Sequence, residues 1–157
     1  MAFIDVRGKC RKRYKNLAKI VAQKVIELMS FPDNLQVDIE FVSKKEIKRL
    51  NNGFRNIDKV TDVLSFPSFQ IVAGEILDLE SENVISFKAE DDSVHFGDIA
   101  LCLKQTKKQA KEFGVSVEDE IKKLIIHSML HLMGYDHIND CDFEVMKKQE
   151  ERLEKLI

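Results

Sequence analysis

Only two prolines, Pro32 and Pro67, punctuate the 157 residues, and neither an internal repeat nor a low-complexity segment interrupts them. No domain linker is visible, so the chain reads as one domain spanning residues 1–157, long enough to bury a core without disulfide or metal staples. Cysteine is sparse: Cys10, Cys102 and Cys141 show no CxxC spacing, which excludes a disulfide framework and a cysteine-type zinc knuckle. They are expected to be buried thiols. No apolar run approaches the roughly 18 residues of a membrane span, so no membrane partner is expected. The first residues lack the apolar core of a secretory signal and the last ones show no lipidation pattern, which predicts a soluble protein of the cytoplasm. Net charge is only −2, so there is no global electrostatic case for nucleic acid.

What is present is unevenly placed. Residues 7–19 carry Arg7, Lys9, Arg11, Lys12, Arg13, Lys15 and Lys19 without an acid, while the charged residues of 75–92 are Glu and Asp apart from Lys88. The basic run is either a solvated helix face or a local anion-binding surface. Tyr14, Leu17, Val21, Val25 and Leu28 recur at helical steps, predicting an amphipathic helix over 9–30 that Phe31-Pro32 ends. Leu35, Val37, Ile39 and Phe41 alternate as in a half-buried strand. Ser43 and Glu46 have capping-box spacing for a short helix to about Leu50. "TDVLSFPSF" and "GDIALCL" are β-favouring runs, and the acidic segment between them reads as a hairpin or a mobile insertion. A helix from Lys104 stops at Gly114; another, capped by Ser116, runs from 117 to about Met133 with Gly134 as its stop. Asn139 or Asp140 starts a last helix with Phe143, Met146, Glu150, Leu153 and Ile157 on one side. The pattern is an α+β domain: a small mixed sheet packed by several helices, with the apolar 117–133 helix central.

That helix leads into "HSMLHLMGYDH", residues 127–137, which holds three of the four histidines. His127 and His131 are four residues apart, so both project from one helix face. Gly134 allows a sharp turn, and His137 can return to supply a third nitrogen. Three imidazoles without an obvious fourth ligand match an open zinc site, where the pKa of a bound water falls toward about 7. A closed structural site is the competitor, with Cys141 as the candidate fourth ligand. Asp136 can orient a histidine, act as a base, or bond the backbone amides of the turn. The zinc-peptidase pattern HExxH requires glutamate after the first histidine, and here position 128 is serine, which argues against that route to peptide hydrolysis.

"HSMLHLMGYDH" closely resembles the signature of the YbeY family of bacterial rRNA-maturation endoribonucleases. "LNNGFRNIDKVTDVLSFP" at 50–67 and "FGDIALCL" at 96–103 resemble that family's second and third blocks, so the likeness extends over essentially the whole chain. The resemblance implies a single-strand-specific, metal-dependent endoribonuclease of 16S rRNA 3′-end maturation and ribosome quality control. It implies one Zn²⁺ on His127, His131 and His137, and a functional arginine at Arg55, whose guanidinium can clamp a phosphate. The implied partners are single-stranded rRNA, the small ribosomal subunit and assembly factors.

The chain departs from the family at Ser128, where glycine is usual, at Val60, where proline is usual, and in the length of residues 68–94. Ser128 is expected either to crowd the packing of the metal helix or to hydrogen-bond the preceding turn. Arg11 and Arg13, with Lys104 and Lys108, are candidates for tracking an RNA backbone. Two other readings keep the metal: a ribosome-assembly factor with structural zinc, and a hydrolase of another substrate.

Overall fold

Leu35, Val37, Ile39 and Phe41 alternate because one face of their strand is sealed and the other is partly wet, and this strand organises the sheet. A computed structural model of the chain describes residues 2–75 and 77–157. Four strands are ordered β1 (Phe3–Gly8), β2 (Leu35–Val42), β4 (Val94–Cys102) and β3 (Val63–Pro67) across the sheet. β1 and β4 both pair parallel with β2, and β3 closes the far edge antiparallel to β4. The sheet is therefore mixed, as the alternation of helices and strands implies.

β1 corrects the reading of the N-terminus, which contained only a helix. Ile4 is buried and Val6 half-buried between exposed neighbours, a short alternation that the following basic run obscures. Its pairing with β2 bridges some thirty residues of sequence, so local periodicity alone gives little sign of it. Helix α1 (Lys12–Leu28) accordingly starts later than residue 9, and it stops before Phe31-Pro32, where Ser30 takes a left-handed conformation. Tyr14, Ala18, Val21, Ala22, Val25 and Ile26 form its buried face.

The other helices follow their caps. Ser43 accepts a hydrogen bond from the Glu46 amide and starts α2 (Lys44–Arg55), which runs five residues past Leu50 to a left-handed Asn56. α4 (Leu103–Phe113) ends at left-handed Gly114. α5 (Val117–Leu132) begins with Ser116 accepting from the Asp119 amide, and three acids in its first turn complement the helix dipole. α6 (Asp140–Leu156) is capped by Asn139, whose side chain accepts from the Asp142 amide. The acidic segment is neither a full hairpin nor bare loop: it holds the short α3 (Glu82–Ile85), a single bridge from Lys88 to Val94, and Lys88 ion-paired to Glu80 and Asp92.

One sheet face packs on α1 and α5, with Met146 and Leu153 of α6 completing the core; Ile121, Ile125, Ile126, Met129 and Leu130 of α5 are fully buried. Burial of such a side chain contributes about 1.5–3 kcal/mol, so the central place of α5 rests on its own apolar face. On the other sheet face Ile47 of α2 packs with Leu64, Ala100 and Cys102. Cys102 is the buried thiol; Cys10 is half-buried and Cys141 exposed, which corrects the expectation for those two. Among the described residues no helix is long and apolar enough to cross a membrane.

Candidate metal centre

α5 ends in a Schellman turn. Gly134 sits at φ 95°, the Tyr135 amide donates to the Leu130 carbonyl at 3.0 Å, and the Gly134 amide donates to the His131 carbonyl at 3.1 Å. A side chain at 134 would collide with the Ile71 carbonyl, so glycine is required by position as well as by φ. Nearby, a Cβ on Gly97 would stand 2.6 Å from Leu132 and 2.8 Å from the Phe66 carbonyl, so that glycine lets the end of α5 press onto β4 beside β3. The turn thus locks helix end, strand edge and the following loop together, and the loop carries His137 back.

The three histidines meet there. Ring centroids are 4.5 Å apart for His127 and His131, 5.2 Å for His131 and His137, and 5.8 Å for His127 and His137. One ring nitrogen from each lies within 4.8 Å of the others. His127 Nδ1 donates to Glu150 Oε1 of α6 at 2.7 Å, which turns its Nε2 toward His131 Nε2, 3.0 Å away. A tetrahedral ion with ligand bonds of about 2.0–2.1 Å spaces its donors about 3.3 Å apart, so the two helical nitrogens fit such an ion. Burial, with His127 and His137 adding to it, lowers the pKa of His131, against the opposing charge of Asp136 and a backbone hydrogen bond at Tyr135. A neutral imidazole is the form that ligates.

Periodicity puts Glu150 on the inner side of the last helix, but its partnership with His127 spans 23 residues and depends on how α6 lies against α5, which no local pattern shows. Asp136 accepts the His137 amide at 2.8 Å, the backbone-bonding role among the three open to it. Cys141 lies exposed in the first turn of α6 and is absent from the converging donor set. Ser128 is fully buried, and its Oγ has no hydrogen-bond partner among the described residues, so it does not bond the preceding turn.

The other candidate residues stand outside this cluster. Arg55 is the last residue of α2 and is exposed; Asn51 ties the loop beyond it by donating to the Lys59 carbonyl at 3.0 Å. Arg11 is exposed, while Arg13 is held by the Tyr14 hydroxyl at 3.0 Å and by Glu118 at 3.4 Å. Lys104 lines a groove of about 610 Å³ at the C-terminal ends of the parallel strands, together with Lys9, Lys44, Lys45 and Lys107; exposed Lys108 lies on the next turn of α4. Phe54, one residue before Arg55, is 69% exposed with its ring 5.0 Å from that of Phe66, whereas Tyr135 is buried.

A fourth histidine, His95, stands apart from the three and faces Asp38 and Asp98.

Comparison with known proteins agrees with this architecture. The model of the family described as Endoribonuclease YbeY matches residues 4–157. Proteins named Endoribonuclease YbeY include one from Caldicellulosiruptor saccharolyticus, 39% identical over 140 residues that cover 87% of this chain and 84% of that protein. One from Caldicellulosiruptor bescii is 36% identical over 142 residues, covering 88% and 85%. One from Clostridium botulinum strain Loch Maree is 32% identical over 163 residues, covering 99% and 96%. The solution structure of TM1509 from Thermotoga maritima superposes with a TM-score of 0.55 at 27% identity, covering 96% of this chain and 89% of that one. With a family match over nearly its whole length and relatives above 30% identity, the chain belongs to the YbeY endoribonuclease family.

Proposed function

We propose that this chain is a zinc-dependent endoribonuclease that cuts single-stranded rRNA in 16S 3′-end maturation and ribosome quality control. The observation that carries the metal part is the convergence of His127, His131 and His137, with Glu150 behind the first of them. Family membership supports RNA as the substrate, the small subunit and its assembly factors as partners, and the cytoplasm as the place of action.

His127, His131 and His137 would hold one Zn²⁺. A zinc ion there supplies Lewis acidity toward a phosphate oxygen and lowers the pKa of water. The chain's own residues do the rest. Glu150 fixes the His127 tautomer, so that Nε2 keeps its lone pair for the site. The lowered pKa of His131 keeps its ring free of a proton at neutral pH. Arg55 offers a planar guanidinium fork for the scissile phosphate, with charge stabilisation in the transition state as its role. The lysine groove around Lys104 and the neighbouring Arg11, Arg13 and Lys108 would take the RNA backbone. Glu40 and Glu46 also line that groove, and Glu46 is engaged by Arg49 at 2.6 Å, which leaves the lysines as its main uncompensated charge.

Cleavage of a single-stranded RNA by zinc-loaded protein, beside folded His131→Ala and Arg55→Ala variants, tests the reading. Loss of cleavage in both variants is expected. Equal cleavage by all three preparations would overturn the assignment, and an inactive wild type that still binds small subunits would favour an assembly factor with structural zinc.

A further inference from the structure

His95 is the histidine that the three-histidine cluster leaves out, and its surroundings have the same chemical character. We propose that Asp38, His95 and Asp98 form a second, separate cation site on the open sheet face, suited to a first-row divalent ion such as Zn²⁺ or Mn²⁺.

The placement follows from strand register. Asp38 of β2 and Asp98 of β4 are direct partners on parallel neighbours, so their side chains stand side by side. His95 is three residues before Asp98, and in a regular strand that spacing puts two side chains on opposite faces. The register between β2 and β4 slips at Gln36/Val37: Gln36 pairs with His95 and Val37 with Gly97, so Phe96 is the extra residue of a bulge. That one-residue insertion returns His95 to the face of Asp98. The same face continues to Ala100 and Cys102, which α2 covers through Ile47; the cover ends before Asp98, whose side chain is 51% exposed.

His95 is held in a ligand's orientation. Its Nδ1 lies 2.7 Å from Ser68 Oγ, and the Ser68 amide donates to the Phe96 carbonyl at 3.0 Å, which anchors the serine beside the bulge. Nε2 faces the two carboxylates, 3.1 Å from Asp38 Oδ2 and 3.6 Å from Asp98 Oδ1. These separations bracket the roughly 3.3 Å edge of a tetrahedron with ~2.0–2.1 Å bonds. With Nδ1 donating to Ser68, three acceptors converge on one point that a cation satisfies. One imidazole nitrogen with two carboxylate oxygens is a donor set for borderline divalent ions.

The charge balance points the same way. Asp5 of β1 is the register partner of Asp38, so three carboxylates run in a row across β1, β2 and β4. Like charges directly opposite on neighbouring strands destabilise a sheet. Arg7 sits 3.4 Å from Asp5 and serves that end of the row; the other end has His95. The competing arrangement has no metal: His95 Nε2–H donates to Asp38, and the Ser68 hydroxyl donates to Nδ1.

Calorimetric titration of Zn²⁺ into chelator-stripped full-length protein separates the two. Two equivalents are expected for wild type and one for Asp38→Asn and for Asp98→Asn. His131→Ala should retain the event that those variants lose, which keeps this result independent of the three-histidine site. Ser68→Ala should weaken the same event at least tenfold, because it frees the imidazole it orients. Circular dichroism identifies any variant that fails to fold, and either aspartate variant suffices. A single equivalent in wild type that His131→Ala abolishes, or a second equivalent that persists in both aspartate variants, would overturn the proposal and leave a metal-free hydrogen-bonded cluster.

Discussion

Glu150 Oε1 accepts the Nδ1 proton of His127 at 2.7 Å, although the two residues stand on different helices, 23 positions apart. The carboxylate fixes which nitrogen of His127 faces the other imidazoles and raises the basicity of that nitrogen. Replacing Glu150 by alanine should lower zinc affinity at the three-histidine site by about 10–100-fold. Competition with a chromophoric chelator measures it, and Glu150→Gln, which can still accept at Nδ1–H, should recover part of the loss. Unchanged affinity in both variants would sink this role.

Ser128 is a buried hydroxyl without a partner in the middle of α5. An unsatisfied buried polar group costs about 1–3 kcal/mol, and alanine is the better helix former. Ser128→Ala should therefore stabilise the fold by about 1–2 kcal/mol in urea unfolding. Ser128→Gly should gain less, since glycine costs about 1 kcal/mol in a helix interior.

Gly134 combines a positive φ with a carbonyl of residue 71 pressed against its Cα. Gly134→Ala should cost about 2–3 kcal/mol, readable as a lower Tm. It should also displace His137 relative to α5 and so weaken metal binding, whereas Gly53→Ala, where a Cβ meets open space, should not lower stability.

Glu120 is 2% exposed on α5 near Glu154, and burial raises its carboxyl pKa above the ordinary 4.5, with Lys123 opposing the rise. The native state thus holds the proton more tightly than the unfolded chain. Its contribution to stability is fully present below pH 4.5 and is lost as pH rises through the raised native value. Glu120→Gln should raise Tm at pH 7, and that advantage should shrink as the pH falls below 4.5, where wild type is itself protonated. Thermal melts across this range check the sign.

Much of the fold was legible because helices and half-buried strands write their periods locally. The alternation in β2, the serine caps at 43 and 116, and the glycine stops at 114 and 134 each need only a few neighbouring residues to be read. β1 escaped because six residues show little pattern when the partner that seals them is distant in sequence. α2 ran on to Arg55 past a glycine because Asn51 and Asn56 secure its end, a contact no propensity records.

The sequence by itself determined that His127 and His131 share a helix face and that a glycine turn lets His137 approach, since a four-residue spacing and a left-handed glycine have the same geometry in any helix. Tertiary structure alone decided what stands behind and beside those rings. Glu150 reaches His127 only through the packing of α6, and His95 reaches Asp38 and Asp98 only through a bulge in a parallel pairing. Contacts between residues far apart in the chain depend on register and packing, which no local pattern encodes.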